Sequence, residues 1–508
     1  MIKILRPSFI PVSLAAAPLL LSFAGSAVAL DSSEDDYELK LLGKYVFFDK
    51  ISQVNPNSRG KPQRMGCVTC HDPATGGTGS VSGVNRHQVA ITGANPHTIG
   101  NLKPPTNAYA SFIAPLHNSD EGCDGGVVRF CGGNFWNGRA EGRDETIAPL
   151  FGLTEHIGSE VFQDGAGDPA SYSKYFGPTS DQALNPMPNP AEHNIDRESV
   201  CKRVKSAKYS ALYKKAWGIE IDCTDYDITF KRLMLAVGAW QHSNELNSFS
   251  SKRDIALAKD ADKEFPLDGL TDEENLGHDL FYGVVTELNP EGKDARCSQC
   301  HSDNPDSDNG AEPQQLYADD SYHNIGTPRN PEIPKTFDAN GNFLDPDEGL
   351  AGLTGIRGQI ETNCGPGFTR NCDHRGFFKT PTLRNVDKRK GKGFTKAYTH
   401  NGWFKSLESI VHFYNTAFLG DEDIPYENTT AAKFGITRCP EGIETEKQAL
   451  ANNCWPEPAH ANPGQTGSPA IPFLLGNLGL TAEEEAAIVA YMKTLTDTVT
   501  PKAPKPYK

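Results

Sequence analysis

Positive charge is in short supply. The 508-residue chain carries 49 lysines and arginines against 65 aspartates and glutamates, a formal net charge of −16. That balance argues against nucleic acid as a partner and suits a basic redox protein. Long apolar runs are missing after the first 29 residues, so no later stretch is apolar enough to cross a bilayer. Residues 1–29 read as a secretory signal peptide. Lys3 and Arg6 give a basic start, the apolar run from Leu14 to Phe23 is short for a span, and Ala27-Val28-Ala29 is an A-x-A cleavage site. Methionine is scarce as well, with five in the chain and only Met492 after residue 301. The roughly 480 residues that remain after cleavage exceed what a single core usually holds, which implies at least two domains.

Cysteine is not scarce. Four of the 12 fall in Cys67-Val68-Thr69-Cys70-His71 and Cys297-Ser298-Gln299-Cys300-His301. CxxCH is the attachment signal for c-type haem, in which two thiols bond the porphyrin and the adjacent histidine ligates the iron. Two such motifs imply two covalently bound haem c groups, held by Cys67, Cys70 and His71 and by Cys297, Cys300 and His301. Maturation of such groups places an exported chain in a periplasm. The other eight cysteines fall in near pairs, Cys123 and Cys131, Cys201 and Cys223, Cys364 and Cys372, Cys439 and Cys454. An even number in an exported chain reads as disulfides, and nearest-neighbour pairing is the expectation among the 105 connectivities that eight cysteines allow.

The haem motifs sit in an internal repeat. Leu42-Gly43-Lys44-Tyr45-Val46-Phe47-Phe48 and Leu276-Gly277-His278-Asp279-Leu280-Phe281-Tyr282 begin 25 and 21 residues before their CxxCH motifs. A helix followed by CxxCH, twice, predicts a mainly α chain of two tandem cytochrome c-like domains, residues 30–260 and 261–508, with long loops and insertions. Capping boxes start helices at Thr271 and Thr481. Phe230, Leu233, Met234, Val237 and Trp240 form an apolar stripe on a helix within 227–247. Residues 302–375, rich in Gly, Pro and Asn, read mostly as loop, and 501–508 as a disordered tail.

These motifs, together with Phe135-Trp136-Asn137-Gly138-Arg139, Phe378-Lys379-Thr380-Pro381-Thr382-Leu383-Arg384-Asn385 and Tyr398-Thr399-His400-Asn401-Gly402, resemble the bacterial dihaem cytochrome c peroxidase/MauG family over about residues 39–497. The resemblance implies that peroxide meets the N-terminal haem, that the C-terminal haem takes in electrons, and that Trp136 lies between them. It implies an acid/base glutamate six residues after a proline, which puts Glu155 after Pro149, with Glu160 as a further candidate. The family's nearby glutamine falls on Glu145. His87, 16 residues after His71, stands where classical members carry a histidine that blocks the resting N-terminal iron, and His97 competes for that role. The methionine that ligates the second iron in classical members falls on Tyr414, as it does in MauG-type members, while Met492 reads as helix packing. An interdomain calcium ion would use Asn101, Thr395 and the carbonyl of Ala397. Homodimers are common in the family.

The implied activity is reduction of hydrogen peroxide to water with electrons from a small cytochrome c or cupredoxin. Tyr414 also fits a MauG-like enzyme that oxidises Trp or Tyr side chains of a partner protein. A plain electron carrier and an oxygenase of hydrophobic polymers are the remaining alternatives.

Overall fold

The computed structural model describes residues 36–52, 64–95, 97–118, 130–143, 152, 154–302, 311–337, 341, 343–352, 375–421, 423–460 and 475–507. Regular structure in them is mainly helical, and the strands form only two-residue pairs. The chain enters through α1 (Tyr37–Phe48), then α2 (Arg197–Lys205), α3 (Ala211–Trp217) and α4 (Tyr226–Gln241). After α5 (Lys252–Lys259) come α6 (Asp272–Tyr282), α7 (Leu407–Thr416) and α8 (Ala482–Thr494). The helix starts follow local chemistry. Thr271 and Thr481 form reciprocal capping boxes with Glu274 and Glu484, and the Ser406 hydroxyl accepts from the Ser409 amide at the start of α7.

The repeat in the sequence is a repeat of helix crossings. α1 packs on α4 and α6 packs on α8. At each crossing a glycine is required by close approach, since a Cβ on Gly43 would collide with the Ala236 carbonyl and one on Gly277 with that of Ala487. Around the first crossing Leu39, Leu42 and Val46 are fully buried, and Phe47 meets Trp240 at 4.5 Å between ring centroids. Around the second, Leu280, Phe281, Ile488 and Tyr491 form the equivalent core with Leu407 and Val411 of α7. Side chains of this kind each contribute about 1.5–3 kcal/mol on burial.

A polar seam joins the halves. Asp254 on α5 receives both guanidinium nitrogens of Arg384 at 2.8 and 3.1 Å, and that guanidinium lies 4.4 Å from the Phe249 ring and 5.2 Å from Tyr109. Asp497 accepts from the Tyr109 hydroxyl (2.7 Å), the Asn385 amide group (2.8 Å) and the Ser250 backbone (2.9 Å). Through Asp254, α5 is tied to the second half of the chain.

The tail corrects the sequence reading. Residues 501–507 are described, and they return to the first half, where Tyr45 donates to the Lys505 carbonyl at 2.6 Å and packs edge-on to Tyr507 at 5.8 Å. A Pro/Lys-rich composition says nothing of one aromatic anchor. Disulfides Cys201–Cys223 and Cys439–Cys454 form as expected, and Cys131 is also bonded. Cys123, Cys364 and Cys372 lie outside the described residues, as does the 1–29 segment.

Candidate dihaem site

Among the described cysteines only Cys67, Cys70, Cys297 and Cys300 are free, the four of the two motifs. Each motif is a tight turn that brings its thiols to one side, a helical turn at Cys67–Cys70 and a 3-10 turn at Cys297–Gln299. His71 Nδ1 lies 3.1 Å from the Gly77 carbonyl and His301 Nδ1 2.9 Å from the Tyr317 carbonyl. A carbonyl accepting from Nδ1–H selects the tautomer whose Nε2 lone pair is available to iron. Both carbonyls come from left-handed residues, Gly77 at φ +73° and Tyr317 at φ +60°. Glycine takes that conformation freely. In a tyrosine it costs on the order of 1–3 kcal/mol, strain that aims a carbonyl at a ligand histidine.

Beside the second motif lies a cavity of about 570 Å³, lined by Cys297, Cys300 and His301 together with Trp136, Lys103 and Thr78. Free thiols, oriented histidines and a largely apolar cavity fit covalent haem c. Tyr414 and Met492 both line this cavity. Burial, helped by the Cys300 and Cys297 thiols, pushes the Tyr414 phenol well above its ordinary pKa. The sequence reading of Met492 as plain packing is thus incomplete, since it is both core and cavity wall. His323 was missed. Burial would lower its pKa, but Asp319 at 2.8 Å and Cys300 outweigh that and hold it up at about 10. Cys300, Asp319 and His323 cluster as metal ligands can, yet Cys300 belongs to the second CxxCH motif.

Trp136 stands where the halves meet. It is 7% exposed, donates from Nε1 to the Lys103 carbonyl at 2.7 Å, and accepts through its own carbonyl from the Lys379 amide at 2.9 Å. Its ring is 6.4 Å from that of His400, which stacks on Phe378 at 3.5 Å and reaches Asp347 at 2.8 Å. The family-like segments around 136, 378 and 400 thus converge.

The acid/base candidates sit in unlike surroundings. Glu155 is exposed and held in a surface cluster by Arg197 and by Lys231 at 3.1 Å. Partial burial pushes its pKa up, but those two cations outweigh it and the net shift is downward. Glu160 shares Lys231 and is lowered in the same way, against its own partial burial. Glu192 is shifted the other way. Burial raises its pKa against the opposing charge of Arg139 and a 2.7 Å hydrogen bond from Asn189, and its carboxylate acts on both thiols of the first motif. Glu192 also stands six residues after a proline, Pro186, so the spacing fits twice and only burial separates the two. Arg139, from the Trp136 segment, stacks at 4.0 Å on Phe135. Glu145 lies outside the described residues.

The expected blocking histidines are also displaced. His87 has a 58% exposed side chain and binds Glu332 at 2.6 Å, because the short helix 82–85 turns it toward residues 330–332. His97 is exposed. The histidine near His71 is His193, 3% exposed, with an Nδ1 that has no hydrogen-bond partner among the described residues. Burial, then the charge of His71, lowers its pKa to about 4.

Calcium does not fit its expected place. The Thr395 hydroxyl accepts from Arg86 at 3.2 Å and its carbonyl from Asn85 at 2.9 Å. Between Thr395 and Ala397, the buried Lys396 ammonium donates to the carbonyls of Thr75, Asn385 and Lys388 at 3.0, 2.7 and 3.2 Å. Two side-chain cations already occupy this region, and a divalent ion would face their repulsion. Asn101 is half-buried and Ala397 lines the cavity.

Residues 38–262, a little under half of the chain, match the family model described as di-haem cytochrome c peroxidase (CCP_MauG). Among solved structures it is similar to the diheme peroxidase BthA from Burkholderia thailandensis, at 22% identity and a TM-score of 0.55, covering 92% of this chain and 88% of that one. A tyrosine-to-methionine variant of the same protein matches at the same identity and TM-score, covering 92% and 89%. At this identity the likeness shows a shared fold. No curated protein matches the chain.

Proposed function

We propose that the protein is an exported, periplasmic dihaem c-type peroxidase that reduces hydrogen peroxide to water with electrons from a small basic cytochrome c or cupredoxin. In this reading residues 30–260 form the peroxide-handling unit and 261–508 the unit that receives electrons. Among the described residues no helix is long and apolar enough to cross a membrane. The haems, when bound, supply a peroxide-binding iron and the redox chemistry.

The observation that carries the proposal is the half-buried Glu192 carboxyl, held by Asn189 at 2.7 Å beside the first motif. A carboxyl raised by burial is matched to taking a proton from one peroxide oxygen and giving it to the other. Asn189 fixes one carboxylate oxygen, and the nearby Arg139 charge stops the pKa from rising further. Trp136, pinned at both its indole and its carbonyl, supplies an oxidisable ring between the sites. A plain electron carrier has no use for such a carboxyl.

A second reading is favoured by Tyr414 on the cavity wall, namely a MauG-like oxidation of Trp or Tyr side chains in a partner protein. Phenolate is a hard anion that favours ferric and higher states. Steady-state peroxide turnover by the holoprotein with a reduced basic cytochrome c separates the two. Turnover that falls as salt rises is expected, since an acidic surface steers a basic donor. Absence of turnover, together with peroxide-dependent oxidation of a partner's aromatic side chains, would replace the first reading with the second.

A further inference from the structure

Three tyrosines run from the first haem motif to the surface, and peroxide handling by Glu192 makes no use of them. Tyr209 is 6% exposed and belongs to the core against which Cys67 packs. Its ring stacks on Tyr45 of α1, with centroids 5.2 Å apart and planes 27° from parallel. Tyr45 in turn meets Tyr507 edge-on at 5.8 Å, and the Lys215 ammonium lies 5.8 Å from the Tyr507 ring. The tail that brings Tyr507 here crosses from the second half of the chain.

The innermost hydroxyl has somewhere to send its proton. Tyr209 donates to Asp49 Oδ2 at 2.8 Å, within the range for proton transfer, and Asp49 is itself braced by Arg203 at 3.4 Å. Tyr45 donates to the Lys505 carbonyl in an exposed hydrogen bond. Packing alone accounts for stacked rings in a core. It does not account for a carboxylate under the innermost phenol, or for a Pro/Lys-rich tail whose anchor in this region is an aromatic.

We propose that Tyr209, Tyr45 and Tyr507 form a relay that carries oxidising equivalents from the Cys67–His71 site to the surface, where Tyr507 oxidises small phenols one electron at a time. This rests on the peroxide reading above. Hydrogen peroxide is the oxidant. Tyr209 gives one electron inward and its phenolic proton to Asp49. Tyr45 then gives an electron to the Tyr209 phenoxyl, which recovers its proton from Asp49, and Tyr507 does the same for Tyr45, these two exchanging protons with water. The Tyr507 phenoxyl takes a hydrogen atom from a phenol, leaving a free phenoxyl radical. In sum, one peroxide and two phenols give two waters and two phenoxyl radicals.

The test uses the diferric holoprotein with hydrogen peroxide and guaiacol. Freeze-quench EPR follows tyrosyl radical, the Soret band follows reaction with peroxide, and guaiacol oxidation is read in parallel. Tyr45→Phe, Tyr507→Phe and removal of residues 501–508 should each cut guaiacol oxidation by at least about tenfold. The Soret response should stay within about twofold of wild type in all three. Tyr209→Phe should remove the tyrosyl signal while leaving the Soret response. An unchanged tyrosyl signal and guaiacol rate in these variants would overturn the relay and leave the peroxide reading standing. No Soret response in the wild type would overturn both.

Discussion

The two CxxCH sites share one backbone solution and differ in what faces it. Each follows a helix whose glycine allows a close crossing, and each holds its histidine by a carbonyl from a left-handed residue. Around the first lie groups that move or balance protons, Glu192, Arg139 and His193. Around the second, the wall carries a phenol and a thioether, Tyr414 and Met492, with His323 paired to Asp319 nearby. In the proposed reading, this difference gives proton chemistry to the first site and control of potential to the second.

The sharpest break of this contrast is at Glu192. Glu192→Gln keeps shape but not the titratable proton, and should lower peroxide turnover by about 10²–10⁴-fold with little change in resting spectra. Glu155→Gln should leave turnover near wild type, and the pair can be compared by steady-state kinetics. At the second site, Tyr414→Met should raise the haem potential by a sizeable part of the roughly 0.8 V that axial ligation commands, measurable by spectroelectrochemistry. An unchanged potential would take Tyr414 out of the coordination shell.

Smaller effects test the shared scaffold. Gly277→Ala forces a methyl into the Ala487 carbonyl and should cost about 1–3 kcal/mol in denaturant unfolding, with Gly43→Ala doing the same in the first half. Glu192 has a pKa raised on folding, so its carboxyl is best tolerated below its unfolded pKa and becomes a liability as pH rises through the folded one. Glu192→Gln should therefore raise the melting temperature at neutral pH, with the gain vanishing in acid. Smallest of all, chelation with EDTA should change neither turnover nor melting temperature, since Lys396 and Arg86 already sit at the expected calcium position.

Much of the scaffold was legible in the sequence because local chemistry wrote it. The CxxCH motifs, the Thr271 and Thr481 capping boxes, the α1/α6 repeat and the short-range disulfides all depend on residues near one another in the chain. The meeting of the Trp136 segment with those around 378 and 400 was legible through their motifs. Less legible were the surroundings that depend on tertiary burial. Glu155 and Glu192 stand at the same spacing from a proline, and only the Arg197 and Lys231 partners of the one and the raised pKa of the other distinguish them. His87 was drawn off by Glu332, 245 residues away in sequence. The tail was fixed by Tyr507 finding Tyr45, a contact that composition cannot express.

The most direct test of this division of labour is the reaction of the diferric holoprotein with stoichiometric peroxide, followed by stopped-flow absorbance in wild type, Glu192→Gln and Glu155→Gln. A fast response in wild type and Glu155→Gln, slowed by about 10²-fold or more in Glu192→Gln, is the expected result. A Glu192→Gln protein that reacts as fast as wild type, beside a slow Glu155→Gln, would return the proton chemistry to Glu155 and contradict the account.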